Sequence, residues 1–242
     1  MRFLFTFLSI GAILVVAARG DASVVALQNA TASFSQTNFN VSESIDGTLD
    51  ANDGWAINPN EGFQTAVYET VADTGPGGGT LLTFQLHHLF QPGSNPFHLL
   101  GRFKLSATTD NRSVFADGLQ TGGDVVANWT ELTPFFADSD GSLDTLTVQG
   151  DNSVLAGGTA PATATYTIKA LTSLTGITGF RLEVMEDASL PSNGPGRQPT
   201  NGNFVLTQMT VDAQVVPEPS AMAVWIILGA VSVGLVRRRL KY

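Results

Sequence analysis

Thr80-Leu81-Leu82-Thr83-Phe84-Gln85-Leu86 carries the reading that decides the fold. Side chains alternate across a strand, so Leu82, Phe84 and Leu86 share one face and Thr83 and Gln85 the other. The same period of two recurs in both directions. Upstream stands Thr65-Ala66-Val67-Tyr68-Glu69-Thr70. Downstream, Arg102-Phe103-Lys104-Leu105-Ser106-Ala107-Thr108 turns Phe103, Leu105 and Ala107 inward, followed by Asp144 to Gln149, Ala164 to Ala170, Phe180 to Met185 and Phe204 to Val211. In the last run Phe204, Leu206 and Gln208 share one parity, and Val205, Thr207 and Met209 the other. Gly75-Pro76-Gly77-Gly78-Gly79 and Pro191-Ser192-Asn193-Gly194-Pro195-Gly196 cannot continue strands and read as loops. Helical periodicity is nearly absent between Val24 and Val215. At least seven short strands with turn signals predict an all-β antiparallel sandwich of jelly-roll type over residues 24–215.

The two ends of the chain differ from its middle. Residues 1–20 have the parts of a secretory signal peptide: Arg2, an apolar run from Phe3 to Ala18, and small residues Ala18 and Gly20 before a cut at Asp21, with a second cut available at Ala22. At the other end Pro217-Glu218-Pro219 precedes an apolar stretch over Ala221 to Val236, then Arg237-Arg238-Arg239-Leu240-Lys241. Sixteen apolar residues at a rise of ~1.5 Å span ~24 Å, which snorkelling arginines extend to a single transmembrane helix. The basic cluster stays cytoplasmic, placing everything before Pro217 outside.

The C-terminal pattern resembles the PEP-CTERM sorting signal (residues 216–242: motif 217–219, helix 221–236, basic tail 237–241). That resemblance implies processing by an exosortase at Pro217, Glu218 and Pro219, after signal peptidase has acted at the N-terminus. It also implies transient membrane anchoring, then release to the cell surface or an exopolysaccharide matrix. These prolines and Glu218 are then a recognition site for another enzyme.

Without the two ends, six basic residues between Val24 and Pro219 face twenty acidic ones, a formal charge of −14. Such a surface repels nucleic acid and anionic lipid, and suits divalent cations or neutral glycans. There is no cysteine, so thiol catalysis and zinc-thiolate sites are excluded and the domain rests on its core alone. About 190 residues suffice for one sandwich, with a split near Asp117 to Asp124 as the alternative. The sequons at Asn29, Asn40, Asn111 and Asn128 read as chance in a chain with a bacterial sorting signal.

The middle of the chain resembles the galactose-binding-like (discoidin, coagulation factor 5/8 C-type) family. The residues that carry this are Ala30-Thr31-Ala32-Ser33-Phe34-Ser35-Gln36, Ser44-Ile45-Asp46-Gly47, Gly54-Trp55-Ala56, Gly101-Arg102-Phe103-Lys104-Leu105-Ser106, Trp129, Gly179 to Val184 and Asn203 to Val211. The family implies a structural calcium near the Asp-Gly turn. Carried over, this gives Asp46 with oxygens from Thr48 or Asp50, and Gln208 where the family usually has Glu. A Gln carbonyl ligates without adding charge, which weakens such a site. Alternatively, Asp46 only satisfies the amides of its turn.

Carbohydrate binding needs an aromatic face and planar polar groups, and Trp55, Trp129, His98 and Arg102 are the candidates. Both tryptophans equally suit a core. His87 and His88 point to opposite faces of one strand and read as surface or loop-edge residues rather than metal ligands. Asp138-Ser139-Asp140-Gly141-Ser142-Leu143-Asp144 lacks the later ligands of a calcium loop and reads as a solvated turn. No nucleophile elbow, zinc-protease motif, phosphate loop or dinucleotide fingerprint is present, so an enzyme is not expected. Two functions follow: an exported carbohydrate-binding module, or a non-catalytic adhesive matrix protein that binds other proteins.

Overall fold

In the computed structural model the described residues are 21–216, apart from 59–61, 78, 92 and 94–95. The signal peptide over 1–20, the Pro217-Glu218-Pro219 motif, the expected helix 221–236 and the basic tail lie outside them. No helix among the described residues is long and apolar enough to cross a membrane.

Among the described residues twelve strands run in chain order: β1 (Ser23–Val24), β2 (Leu27–Ala32), β3 (Gln64–Thr74), β4 (Thr80–His88), β5 (Arg102–Thr108), β6 (Thr130–Glu131), β7 (Pro134–Ser139), β8 (Asp144–Val148), β9 (Val154–Gly158), β10 (Ala164–Thr172), β11 (Ile177–Val184) and β12 (Gln208–Val215). Helical structure among the described residues is confined to short 3-10 turns at Val41–Ile45, Arg112–Val114 and Pro191–Asn193. One sheet has the order β1-β12-β4-β10-β7. The other has β2-β3-β11-β5-β9-β8, with β6 also on β5. Every pairing is antiparallel.

The stretch from Thr80 to Leu86 lies at the centre of the first sheet, flanked by β10 and β12. Leu82, Phe84 and Leu86 are fully buried, and in register they meet Ala170, Ile168 and Tyr166 on one side and Ala213, Val211 and Met209 on the other. Phe103, Leu105 and Ala107 of β5 face them from the second sheet, with Phe180, Leu182 and Val184 of β11. Phe84 meets Phe180 edge-on at 5.3 Å, and Phe103 stacks on Tyr166 at 6.3 Å. Two sheets thus share one core, and each large side chain buried in it contributes roughly 1.5–3 kcal/mol.

Three readings are corrected. His88 continues the inward face of β4, is buried and lies against Tyr166 at 4.7 Å, so it is a core residue; His87 points outward and is partly exposed. The last strand begins at Gln208 rather than Phe204. Residues 203–207 are buried at both parities, with Leu206 bridging Trp55 and Val205 and Thr207 donating their N–H groups to His98 O and His87 O. The Asp138–Asp144 turn is not merely solvated. Asp144 is buried and paired with the equally buried Arg197, which also donates to Gly157 O (3.0 Å) and Gly158 O (2.9 Å).

Candidate functional site

The segment from Asp110 to Glu131 crosses the outer face of the second sheet and roofs it. Val67 of β3 points outward, and Phe115 and Ala116 cover it to form a second apolar cluster, with Val125, Ala127 and Trp129 packed alongside. Phe115 fits because position 179 is glycine: a Cβ there would come within 2.5 Å of its ring. Ala32 donates its N–H to Leu119 O (3.0 Å), Gly122 donates to Ser33 O (2.8 Å) and Gly123 to Ala32 O (3.0 Å). The roof therefore also covers the outer edge of β2, where an open edge would recruit another chain.

Arg112 fastens the roof's first turn. Its Nε donates to Thr70 O (2.8 Å), an Nη to Thr70 Oγ1 (2.9 Å), and it pairs with Asp73 (2.8 Å). Asn111 caps that turn by accepting the Ser113 N–H (2.9 Å).

Between roof and sheet lies a pocket of about 350 Å³, lined by Asn29, Glu69, Arg112, Asp117 and Asp124 with the apolar stretch from Val114 to Ala116. β2 bulges between Gln28 and Thr31, with Asn29 at φ 48°. Asparagine tolerates that left-handed conformation, and the bulge re-aims its side chain. Asn29 Nδ2 donates to Glu69 Oε2 (2.8 Å), as does Gln28 Nε2 (3.0 Å). Glu69 is only 4% exposed, and its other oxygen, Oε1, accepts no hydrogen bond from any described residue. Across the pocket Asp117 accepts the N–H groups of Leu119 (3.0 Å) and Asp124 (3.1 Å), and Asp124 Oδ1 accepts that of Val126 (3.0 Å). A second depression, about 460 Å³, lies beyond Val114 beside Asp110 and Asn128. Both Asp110 carboxylate oxygens there hold Asn128.

The four residues nominated for carbohydrate do not converge. Trp55 is fully buried, donating Nε1–H to Phe34 O (3.0 Å) and meeting Phe204 edge-on at 5.2 Å, so it belongs to the core. His98 is buried against Phe90 at 5.1 Å. Arg102 is committed to Asp151 (2.8 Å), Asp187 (3.4 Å) and Ser153 Oγ (3.2 Å), binding β5 to two loops. Trp129 alone of the four belongs to the roof; it lines neither depression but packs on Phe115, which lines the first. It is half-buried, donates Nε1–H to Val125 O (3.0 Å), meets Phe115 edge-on at 5.4 Å and carries the Arg181 guanidinium over its ring at 5.4 Å. Arg102 lies four residues along β5 from Ser106, level with the roof, or ~13 Å at strand rise.

Glu69 and Arg112 escaped the sequence reading. The signal for Glu69 was its parity: it shares the outward face with Val67, and only the roof, invisible in a local pattern, buries both.

At the Asp-Gly turn Asp46 Oδ1 accepts both the N–H and the hydroxyl of Thr48 (2.8 Å each), and Asp50 Oδ1 holds Asn52 (2.9 and 2.7 Å). Gln208 does reach the turn from β12, its Oε1 accepting the Gly47 N–H at 3.3 Å. Asp53 Oδ1 is buried with no hydrogen-bond partner. Burial, then Asp50 and Asp46, raise its pKa; burial, then the charge of Asp53, raise that of Glu43 against the Gly54 N–H it accepts. No three acidic or histidine side chains among the described residues converge on one metal position. The orphaned Asp53 oxygen suits a hard cation, whereas Thr48 and Asp50 are spent on turn hydrogen bonds.

The chain matches no family model. A search of curated proteins returns no match. Among solved structures it is similar to a chain of the Streptococcus pneumoniae β-galactosidase BgaA, at 12% identity and a TM-score of 0.45, over 78% of this chain and 97% of that one.

Proposed function

We propose that this chain is an exported, non-catalytic cell-surface or matrix protein, an exosortase substrate whose β-sandwich binds carbohydrate of the envelope or exopolysaccharide. The observation that carries the binding half is the pocket under the roof. It joins planar amide and carboxylate groups to an apolar wall that includes Phe115, and the half-buried ring of Trp129 packs behind Phe115. Sugar recognition needs that combination of a C–H-facing apolar surface and directed polar groups. The strand order supports a galactose-binding-like jelly roll: β1-β12-β4-β10-β7 stacks on β2-β3-β11-β5, and β3, β4 and β5, then β10, β11 and β12, alternate between the sheets. Export rests on the two chain ends, with signal peptidase and exosortase as processing partners and the membrane as a transient one. The formal charge of −14 argues against nucleic acid.

A structural calcium at the turn is part of the proposal. Asp53 and the side-chain carbonyl of Gln208 are its first ligand candidates, with Asp46 released from Thr48. When bound, the ion would neutralise a cluster of carboxylates that now oppose one another's ionisation.

Binding of residues 21–216 to a polysaccharide panel, with calcium and then with chelator, tests the reading. Saturable binding lost in Trp129→Ala, while the thermal transition persists, is the expected result. Loss with chelator or in Asp53→Asn would assign the ion a part in the site. No binding to any polysaccharide defeats the glycan reading.

A second reading, an adhesive protein that binds other proteins, draws on β7. This edge strand bulges at its pairing with Lys169 and Ala170, and Phe135 and Phe136 are 60% and 39% exposed there. An apolar edge of that kind favours strand-to-strand contact.

A further inference from the structure

Resting on the glycan reading of the same pocket, we infer that its occupant is a sugar bearing a free, protonated amine, not a neutral or acidic one. The pocket is built to accept hydrogen bonds. Glu69 is held by two amide donors on Oε2, which leaves Oε1, on a side chain 4% exposed, without a donor among the described residues. Asp117 and Asp124, at the exposed rim, line the same pocket, their turns fixed by backbone N–H groups. The one cation in the lining, Arg112, is already matched by Asp73 and by Thr70. An acidic sugar would therefore meet uncompensated carboxylates, and like charges brought together in a partly desolvated site cost affinity.

A bare metal ion is a poor occupant, because these carboxylates do not converge on one position. Something the size of a pyranose ring can reach them together, and about 350 Å³ is at the small end of ligand pockets. An ammonium on that ring gives Glu69 Oε1 the charged donor it lacks, a bond roughly twice as strong as its neutral counterpart. Val114 to Ala116 supply the apolar wall, and the second depression beyond Val114 gives room for the next sugar of a chain.

The test uses the full chain purified in mild detergent, titrated at physiological salt with the tetramer of glucosamine, its N-acetylated counterpart and tetragalacturonate. The glucosamine tetramer should bind at least about tenfold more tightly than the N-acetylated one, and the uronate should not bind. Glu69→Gln keeps an acceptor for Gln28 and Asn29 but removes the charge, and should abolish the preference. Asp124→Asn, at the exposed rim, should reduce it without touching the fold. Asp212→Asn on the opposite sheet should change nothing; an equal drop there would reduce the effect to bulk charge and overturn the inference. Equal or tighter binding of the N-acetylated tetramer overturns the inference and leaves the glycan reading standing. If none of the three binds, and the polysaccharide panel is also negative, both fall.

Discussion

Single residues hold the fold at points where the local pattern gives no warning. Arg197 and Asp144 lie 53 positions apart, each reads as a surface charge, and both are buried. Ser139 Oγ donates to the second Asp144 oxygen at 2.9 Å, so the pair has few unmet hydrogen bonds. Removing one partner leaves the other charged and desolvated. Asp144→Ala should therefore cost about 3–5 kcal/mol, seen as a Tm lowered by roughly 10 °C, while Asp144→Leu with Arg197→Met should cost less than the sum of the single changes. His88 makes a second residue-scale prediction. Its burial pushes the imidazole down to about 3, with His87 adding to the effect and the Ala164 backbone opposing it. The unfolded chain takes up a proton near pH 6.5 that the folded ring refuses, so stability falls as pH drops from about 6.5 toward 3, by at most ~1.4 kcal/mol per unit. His88→Leu should flatten Tm between pH 6.5 and 5; an unchanged slope would assign it to other groups. The parity of β4 already put His87 and His88 on opposite faces. What it lacked was the length of the strand, which carries the inward face two residues past Leu86.

At the scale of elements, strands with unbroken alternation were legible, the edge strand β8 among them, and short or interrupted ones were not. The run Arg102–Thr108 is a strand over those same residues, and β4 and β10 extend their predicted runs by two residues each. These strands are buried on one face along their whole length, so hydrophobic alternation and hydrogen bonding agree. β6, β7 and β9 gave no such signal. β7 opens on Pro134 and is interrupted by a bulge, and β9 ends in Gly157-Gly158. The roof was hardest to read, since its only regular elements among the described residues are one 3-10 turn and the two-residue β6, and the meaning of the rest comes from the face beneath. Of the four nominated sugar contacts, only Trp129 belongs to it. Its seating makes a testable point at Gly179, where Phe115 Cε2 and Cζ would lie 2.5 and 2.6 Å from an added Cβ. Gly179→Ala should displace Phe115, cost about 1–3 kcal/mol by overpacking, and weaken any ligand of the pocket more than it lowers Tm. A variant that binds normally would show that the roof's position is irrelevant to the site.

For the whole sandwich the decisive feature is that its two outer faces differ. The second sheet is roofed, and its face offers a pocket. No comparable segment among the described residues crosses the first sheet: Thr83 and Gln85 of β4, Thr167 and Lys169 of β10 and Thr210 and Asp212 of β12, all partly exposed, form a polar surface in register, ending at the phenylalanines of β7. Lys169 Nζ lies 5.2 Å from the Phe136 ring, which sets a charge beside the aromatic edge. A lysine there hinders pairing with a second copy, and so does a domain charge of −14. Both obstacles are electrostatic and both weaken as salt shortens the Debye length from about 10 Å at 0.1 M to about 3 Å at 1 M. The two functional readings therefore separate in one sedimentation series over that range. A glycan module should stay monomeric throughout, because its binding face is the roofed one and β7 is only an edge. An adhesive matrix protein should associate as salt rises, and Phe135→Lys with Phe136→Lys should abolish that association while leaving the binding of any sugar intact. Association that survives both substitutions would move the contact away from β7 and remove the structural ground for the adhesive reading.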